Sequence, residues 1–131
     1  MPSERQSWSL SRDPRQVGAV RHEVSAWLNA RGIPTTTRTD LLIIVSELVS
    51  NAITAARASV GVRLELDQDR ASLEVEDDGA GHPDLDQHGH AAPEITSVAG
   101  RGLFIVRTLA DDVKITSTRT GSLIRATCSL T

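Results

Sequence analysis

Aromatic residues are nearly absent from this 131-residue chain: Trp8, Trp27 and Phe104 are all it has, and there is no tyrosine. A hydrophobic core must therefore come from Leu, Ile, Val and Ala, and base-stacking platforms for single-stranded nucleic acid are lacking. Cysteine is equally scarce. The lone Cys128 excludes an intrachain disulfide and a thiolate metal cluster. Neither sign of charge dominates, with 14 basic and 17 acidic residues and a net charge of −3. The basic residues are scattered, so nothing argues electrostatically for nucleic acid or an anionic membrane. The apolar run LLIIV (41–45) is too short to span a bilayer and is soon interrupted by Glu47, and no N-terminal stretch resembles a signal peptide. A single cytoplasmic domain over 1–131 is the expectation, long enough to bury a true core.

What the chain does contain is periodic. Residues 6–11 read as a short first strand. Asp13-Pro14 reads as an N-cap followed by proline at the first helical position, and Val17, Val20, Val24, Trp27 and Leu28 continue at helical spacing until Gly32 and Pro34. Thr37 with Asp40 resembles a capping pair for a second helix over roughly 37–57. The period then becomes two. Val60, Val62, Leu64 and Leu66 form one half-buried strand, Asp67-Gln68-Asp69 a turn, and Ala71, Leu73 and Val75 the partner strand. Residues 79–100, rich in Gly, Pro, His and Asp, read as a long loop, a length usually tied to function. Leu103, Val106, Leu109 and Ala110 mark a third helix, followed by strands around Val113–Ile115 and Ser122–Leu130. This order predicts a two-layer α/β sandwich, with helices on one face of a mixed, mainly antiparallel sheet.

Three polar features interrupt the pattern. Glu47 is the only charged residue between Asp40 and Arg57, and Asn51 follows four residues later. On a helix the two share one face. Ser50 and Thr54 extend their stripe, and nearly every other side is apolar, so the stripe is expected to line a cleft. A buried carboxylate is costly without a partner. Asp77 shares the parity of Leu73 and Val75, which points it inward at a strand end, with Gly79 and Gly81 directly after it. Such a carboxylate can accept a hydrogen bond from an exocyclic amine; Asp-Asp-Gly is also ordinary turn chemistry. Gly100-Arg101-Gly102 precedes the third helix, where free backbone N–H groups can meet an anion; a plain turn and cap would look the same.

In this order the motifs ELVSNA (Glu47–Asn51), DDGAG (Asp77–Gly81) and GRGL (Gly100–Leu103) resemble those of the Bergerat-fold ATP-binding superfamily. The resemblance covers roughly Val17 to Leu130. It implies that ATP and Mg²⁺ bind here, with Asn51 on the metal, Glu47 as general base and Asp77 on the adenine amino group. It implies that Gly79 and Gly81 pack close to adenine, that 82–99 is an ATP lid, and that Gly100, Arg101, Gly102 and Leu103 lie at the phosphates. Gly121-Ser122 looks like the family's terminal Gly-Thr pair, and the parity of Ser122 directs its hydroxyl inward. Two departures stand out. Thr54 and Ala55 replace a basic residue and a His or Tyr common after the Asn, and His82 replaces an aliphatic residue.

Within the superfamily, a histidine kinase would need a preceding phosphoacceptor hairpin and a gyrase-like enzyme a following transducer domain. The length of this chain instead resembles the small anti-sigma-factor serine kinases. That resemblance implies phosphorylation of a STAS-type antagonist and sequestration of a sigma factor, with a homodimer as one expected form. Trp8 and Trp27 are expected to be packing residues first, with a dimer interface as the alternative for Trp8. The alternatives are a non-catalytic ATP-binding adaptor and a detached histidine-kinase module. His82, His88 and His90, with Asp84 or Asp86, could be drawn as a zinc site; a solvated polar lid is the preferred expectation. Arg107 is expected on a solvated face.

Overall fold

The computed structural model describes residues 3–79, 98–118 and 120–130. The elements run β1 (Glu4–Ser11), α1 (Arg15–Ala30), α2 (Thr35–Ala55), β2 (Ser59–Leu66), β3 (Arg70–Asp77), α3 (Val98–Leu109), β4 (Asp112–Thr118) and β5 (Gly121–Ser129). The strands form one sheet in the order β1-β2-β3-β5-β4. All four pairings are antiparallel, so the α/β sandwich expected from the sequence is built on a sheet without a parallel pair.

Alternation decides which face meets the helices. Val60, Val62, Leu64 and Leu66 of β2, Ala71, Leu73 and Val75 of β3, and Ile124, Ala126 and Cys128 of β5 are buried on one side. The intervening positions carry charge, with Arg5 paired to Glu65 at 2.9 Å and Arg63 to Glu74 at 4.0 Å. α2 lies across the apolar face and touches α1, α3, β2, β3 and β5. Its Leu41, Ile44, Val45, Leu48, Val49, Ala52 and Ile53 are buried. Trp8 and Trp27 pack against the edge of this core. Arg31 stacks 3.8 Å over the Trp27 ring and reaches Glu4 at 3.2 Å, tying the end of α1 to β1.

The local signals act largely as read. Asp13 Oδ1 accepts the Arg15 N–H at 2.9 Å, and Pro14 already has helical angles, so Asp13 caps α1. That helix closes in a Schellman motif: Gly32 takes φ 69°, its N–H meets the Asn29 carbonyl, and the Ile33 N–H meets the Leu28 carbonyl. Asp67 Oδ1 accepts the N–H groups of Asp69 and Arg70 at 2.8 Å each and shapes the β2–β3 turn. The start of α2 differs from expectation. It opens at Thr35, after an extended Pro34, with no side-chain cap. Thr37 and Asp40 therefore lie inside the helix.

Leu48 is fully buried at the centre of α2. Leu48→Ala is expected to lower the unfolding free energy by about 2–5 kcal/mol, through lost transfer energy and the cavity left behind. Urea denaturation of the variant checks this.

Candidate functional site

α2 presents its polar stripe along one edge of the sandwich. Glu47 and Asn51 are half-buried there, while Ser50 and Thr54 are exposed. Thr54 spends its hydroxyl on the Ser50 carbonyl at 3.0 Å. Glu47 has no ion pair among the described residues. The buried Nδ2 of Asn51 has no hydrogen-bond partner among them. Such a group costs free energy until it finds a partner, so the stripe is built to receive something polar.

Gly102 closes over this pair. A Cβ placed on it would lie 2.9 Å from Glu47 Oε2 and 3.2 Å from Asn51 Nδ2. Glycine here leaves the ends of both side chains undisplaced beside the α3 backbone. The expectation for this segment needs correction. α3 begins at Val98, so Gly100, Arg101 and Gly102 lie within the helix, not ahead of it, and positions 98 and 99 belong to α3, not to a lid. Packing of Leu103 and Val106 into the core overrides the poor helix propensity of glycine. Gly100 and exposed Arg101 still fall in the first turn, where N–H groups lack intrahelical partners. The Leu103 side chain is fully buried and serves the core. Arg107 is half-buried, not on an open solvated face.

The second half of the site lies at the far end of α2. Asp77 is buried, as its parity required, and pairs across the sheet with buried Ser122. Asp77 Oδ1 accepts the Gly79 N–H at 2.9 Å. Ser122 Oγ has no hydrogen-bond partner among the described residues. Gly121, at φ 153°, presses on the Asp77 carbonyl, whose carbon is 3.1 Å from where a Cβ would stand. Gly79 presses likewise on the last turn of α2, with the Ala55 carbonyl carbon 2.9 Å from its would-be Cβ. A hollow of about 270 Å³ at this strand end is lined by Asp77, Asp78, Gly121 and Ser122 together with Gly61, Glu76 and Leu123 of the outer sheet face, and by no residue of α2 or α3. A larger one, about 560 Å³, lies among Glu65, Ser72, Lys114 and Arg125 on the charged outer face of the sheet. Its mixed, solvated charges make it the weaker binding candidate.

Asp78 escaped the sequence reading. Its Oδ1 accepts the N–H groups of Arg57 at 2.8 Å and Ala58 at 3.0 Å. Its Oδ2 accepts those of Ala58 and Ser59 at 3.2 Å each, and the Ser59 hydroxyl at 3.3 Å. These bonds, that of Ala58 foremost, hold its carboxyl below the usual range. Its partners stand 19 to 21 residues away, beyond any local pattern. Cys128 carries no such chemistry. Burial, then the negative Asp111 and Asp40, push its thiol up to about 11, so it stays protonated.

Gly81, His82, His88, His90, Asp84 and Asp86 lie outside the described residues. Among those described, no group of three or more His, Cys, Asp or Glu could hold a metal. No described helix is long and apolar enough to cross a membrane.

The two glycine contacts make opposite demands. Gly79→Ala would collide with a fixed backbone carbonyl, and a stability loss of about 1–3 kcal/mol is expected, as for overpacking. Gly102→Ala would meet the movable end of Glu47 and gain about 1 kcal/mol of helix propensity. Thermal melts should show a lower Tm for the first variant and no comparable drop for the second.

Comparison with known proteins agrees with this geometry. Residues 10–128 match the model of the histidine kinase-like ATPase domain. The serine-protein kinase RsbW of Bacillus velezensis is 34% identical over 118 residues, covering 80% of this chain and 73% of that protein. The crystal structure of the RsbU and RsbW domains of a Mycobacterium tuberculosis protein superposes with a TM-score of 0.74 at 19% identity, over 97% of this chain; the chain spans 32% of that longer one. The SiaB–SiaC complex of Pseudomonas aeruginosa superposes at 0.70 and 11% identity, over 93% of this chain and 88% of that one. These last two speak to fold alone. With its motifs drawn together along α2 and the match spanning nearly its whole length, the chain belongs to the histidine kinase-like ATPase domain family and is similar to the serine-protein kinase RsbW.

Proposed function

We propose that this protein binds ATP with Mg²⁺ along α2 and transfers the γ-phosphoryl group to a serine of a STAS-type antagonist. In the alternate state it would hold a sigma factor inactive. What supports this reading most is the approach of Gly102 to both Glu47 and Asn51, which joins two motifs more than fifty residues apart. The kinase name of the RsbW relative supports it from the other side.

The residues fit the nucleotide and the metal. Among the described residues, the buried amide nitrogen of Asn51 and the hydroxyl of Ser122 have no hydrogen-bond partner. Glycine at 79 and 102 leaves cradles that a Cβ would fill. Eight residues separate Glu47 from Ala55, about 12 Å of helical rise, a span suited to an extended nucleotide. Asn51 would hold the metal through its amide oxygen. Glu47 would take the proton from the attacking serine hydroxyl. Asp77 would accept a hydrogen bond from the adenine amino group, with Ser122 beside it and with Gly79 and Gly81 allowing close approach. Gly100, in the first turn of α3, would offer a backbone N–H to phosphate, Arg101 a charge-assisted contact, and Gly102 room for close approach beside Glu47 and Asn51. Leu103 would act there only by anchoring the turn. Bound ATP would supply the phosphoryl group, and Mg²⁺ would neutralise the charge developing on it.

One observation favours a second reading, an adaptor in which ATP occupancy only switches partner binding. Thr54 turns its hydroxyl back on the Ser50 carbonyl, so this turn of α2 sends no cation toward the phosphates. The two readings separate on Glu47→Ala. For a kinase, phosphoserine formation on the co-purifying antagonist is lost while ATP and partner binding persist. For an adaptor, the wild type transfers no phosphate and the variant changes nothing. An acid-labile phosphohistidine product would instead indicate a detached histidine-kinase module. Asp77→Asn is expected to lose more than about 1 kcal/mol of ATP affinity, because the adenine contact is mispaired. Calorimetry giving wild-type affinity would remove Asp77 from the adenine site.

A further inference from the structure

We propose that Asp78 is a positioning residue that sets adenine selectivity, by clamping the strand end that carries Asp77 to the end of the helix that carries Glu47 and Asn51. The proposal rests on the ATP-binding reading of the same cleft and goes further, naming what holds its two ends in register.

The geometry is a chain of constraints. Asp77 is aimed by the Gly79 N–H on its Oδ1. Gly79 is seated against the Ala55 carbonyl, where no side chain would fit. The backbone just beyond Ala55 is in turn gripped by Asp78, which accepts three successive N–H groups, those of Arg57, Ala58 and Ser59. Asp77 and Asp78 thus diverge from adjacent positions. One carboxylate turns inward to face Ser122, and the other reaches sideways to the α2–β2 connection.

A carboxylate beside a helix C-terminus is unfavourable toward the helix dipole, so Asp78 is not there to stabilise α2 as a helix. Its partners are N–H groups past the last turn, an anion-binding concavity of successive amides. Only an acceptor-only group can satisfy all of them at once. The low proton affinity of Asp78, caused mainly by the Ala58 N–H, agrees with a carboxylate that stays charged in this nest.

Hydrogen-bonded recognition of a base is intolerant of misplacement, because a shifted acceptor is left unpaired. Loosening the clamp should therefore weaken ATP more than GTP, whereas general destabilisation would leave their ratio unchanged. The test is calorimetric titration of the full chain with ATP and with GTP, well below the melting temperature, for wild type, Asp77→Asn, Asp78→Asn and Ser59→Ala. Asp78→Asn keeps the shape but replaces one acceptor with a donor. It is expected to lower ATP affinity by about tenfold, with GTP changed far less, so that the ATP:GTP ratio narrows. Ser59→Ala removes only the hydroxyl bond, and a loss of about twofold, again selective for ATP, is expected. This milder variant decides the matter if Asp78→Asn does not fold: an unaltered ratio then overturns the proposal. If Asp78→Asn folds and keeps the wild-type ratio while Asp77→Asn loses ATP, Asp78 is a fold staple only, and the ATP reading survives. If wild type binds no ATP, both fall together.

Discussion

The structure depends on the burial of α2. A helix with Leu41, Ile44, Val45, Leu48, Val49, Ala52 and Ile53 buried is stable only when it is covered, and the cover comes from α1, α3 and the inner sheet face together. Its aliphatic residues make up for the missing aromatics. Beyond the polar residues of its first two turns, α2 is apolar on most sides, and Glu47, Ser50, Asn51 and Thr54 form a polar stripe along it. Glu47 and Asn51 occupy that stripe, half in the protein and half at the edge of a cleft. A carboxylate on this otherwise apolar stretch and the candidate site therefore coincide.

The same burial gives the site its two ends. At one, α3 approaches α2 closely enough that Gly102 touches both Glu47 and Asn51. At the other, the last turn of α2 meets Gly79 and the Asp77 strand end, while Gly121 closes from β5. At Gly79 and Gly121 glycine stands where two backbones come nearer than a Cβ allows, and at Gly102 where a backbone meets the ends of two side chains. Asp78 then joins the far end to the chain beyond α2 through backbone amides. The elements that would contact a nucleotide are thus braced by the elements that make the core, and the candidate site stands on rigid supports.

Several local sequence signals give way for one reason, that tertiary contacts outweigh propensity. Gly100 and Gly102 look like residues ahead of a helix because glycine is a poor helix former. They are inside α3 because Leu103 and Val106 must reach the core and because Gly102 must fit against α2. Thr37 and Asp40 look like a cap, yet Pro34 starts the helix two residues earlier by fixing an extended turn into it. Arg107 looks solvated on a short amphipathic segment, but the longer helix brings it partly under cover.

The period-two and 3.6-residue patterns were sufficient to specify the order of the elements, the inward parity of Asp77 and Ser122, and the shared face of Glu47 and Asn51. These depend only on backbone periodicity, which a sequence carries directly. The family motifs likewise depend on order and spacing. Tertiary structure alone decided which motifs touch: that Gly102 sits over Glu47 and Asn51, that Ser122 faces Asp77, and that Asp78 grips amides about twenty residues away. It also decided that every strand pair is antiparallel. The physical reason is that a contact between distant segments is set by how a whole core packs, and no local window contains that core.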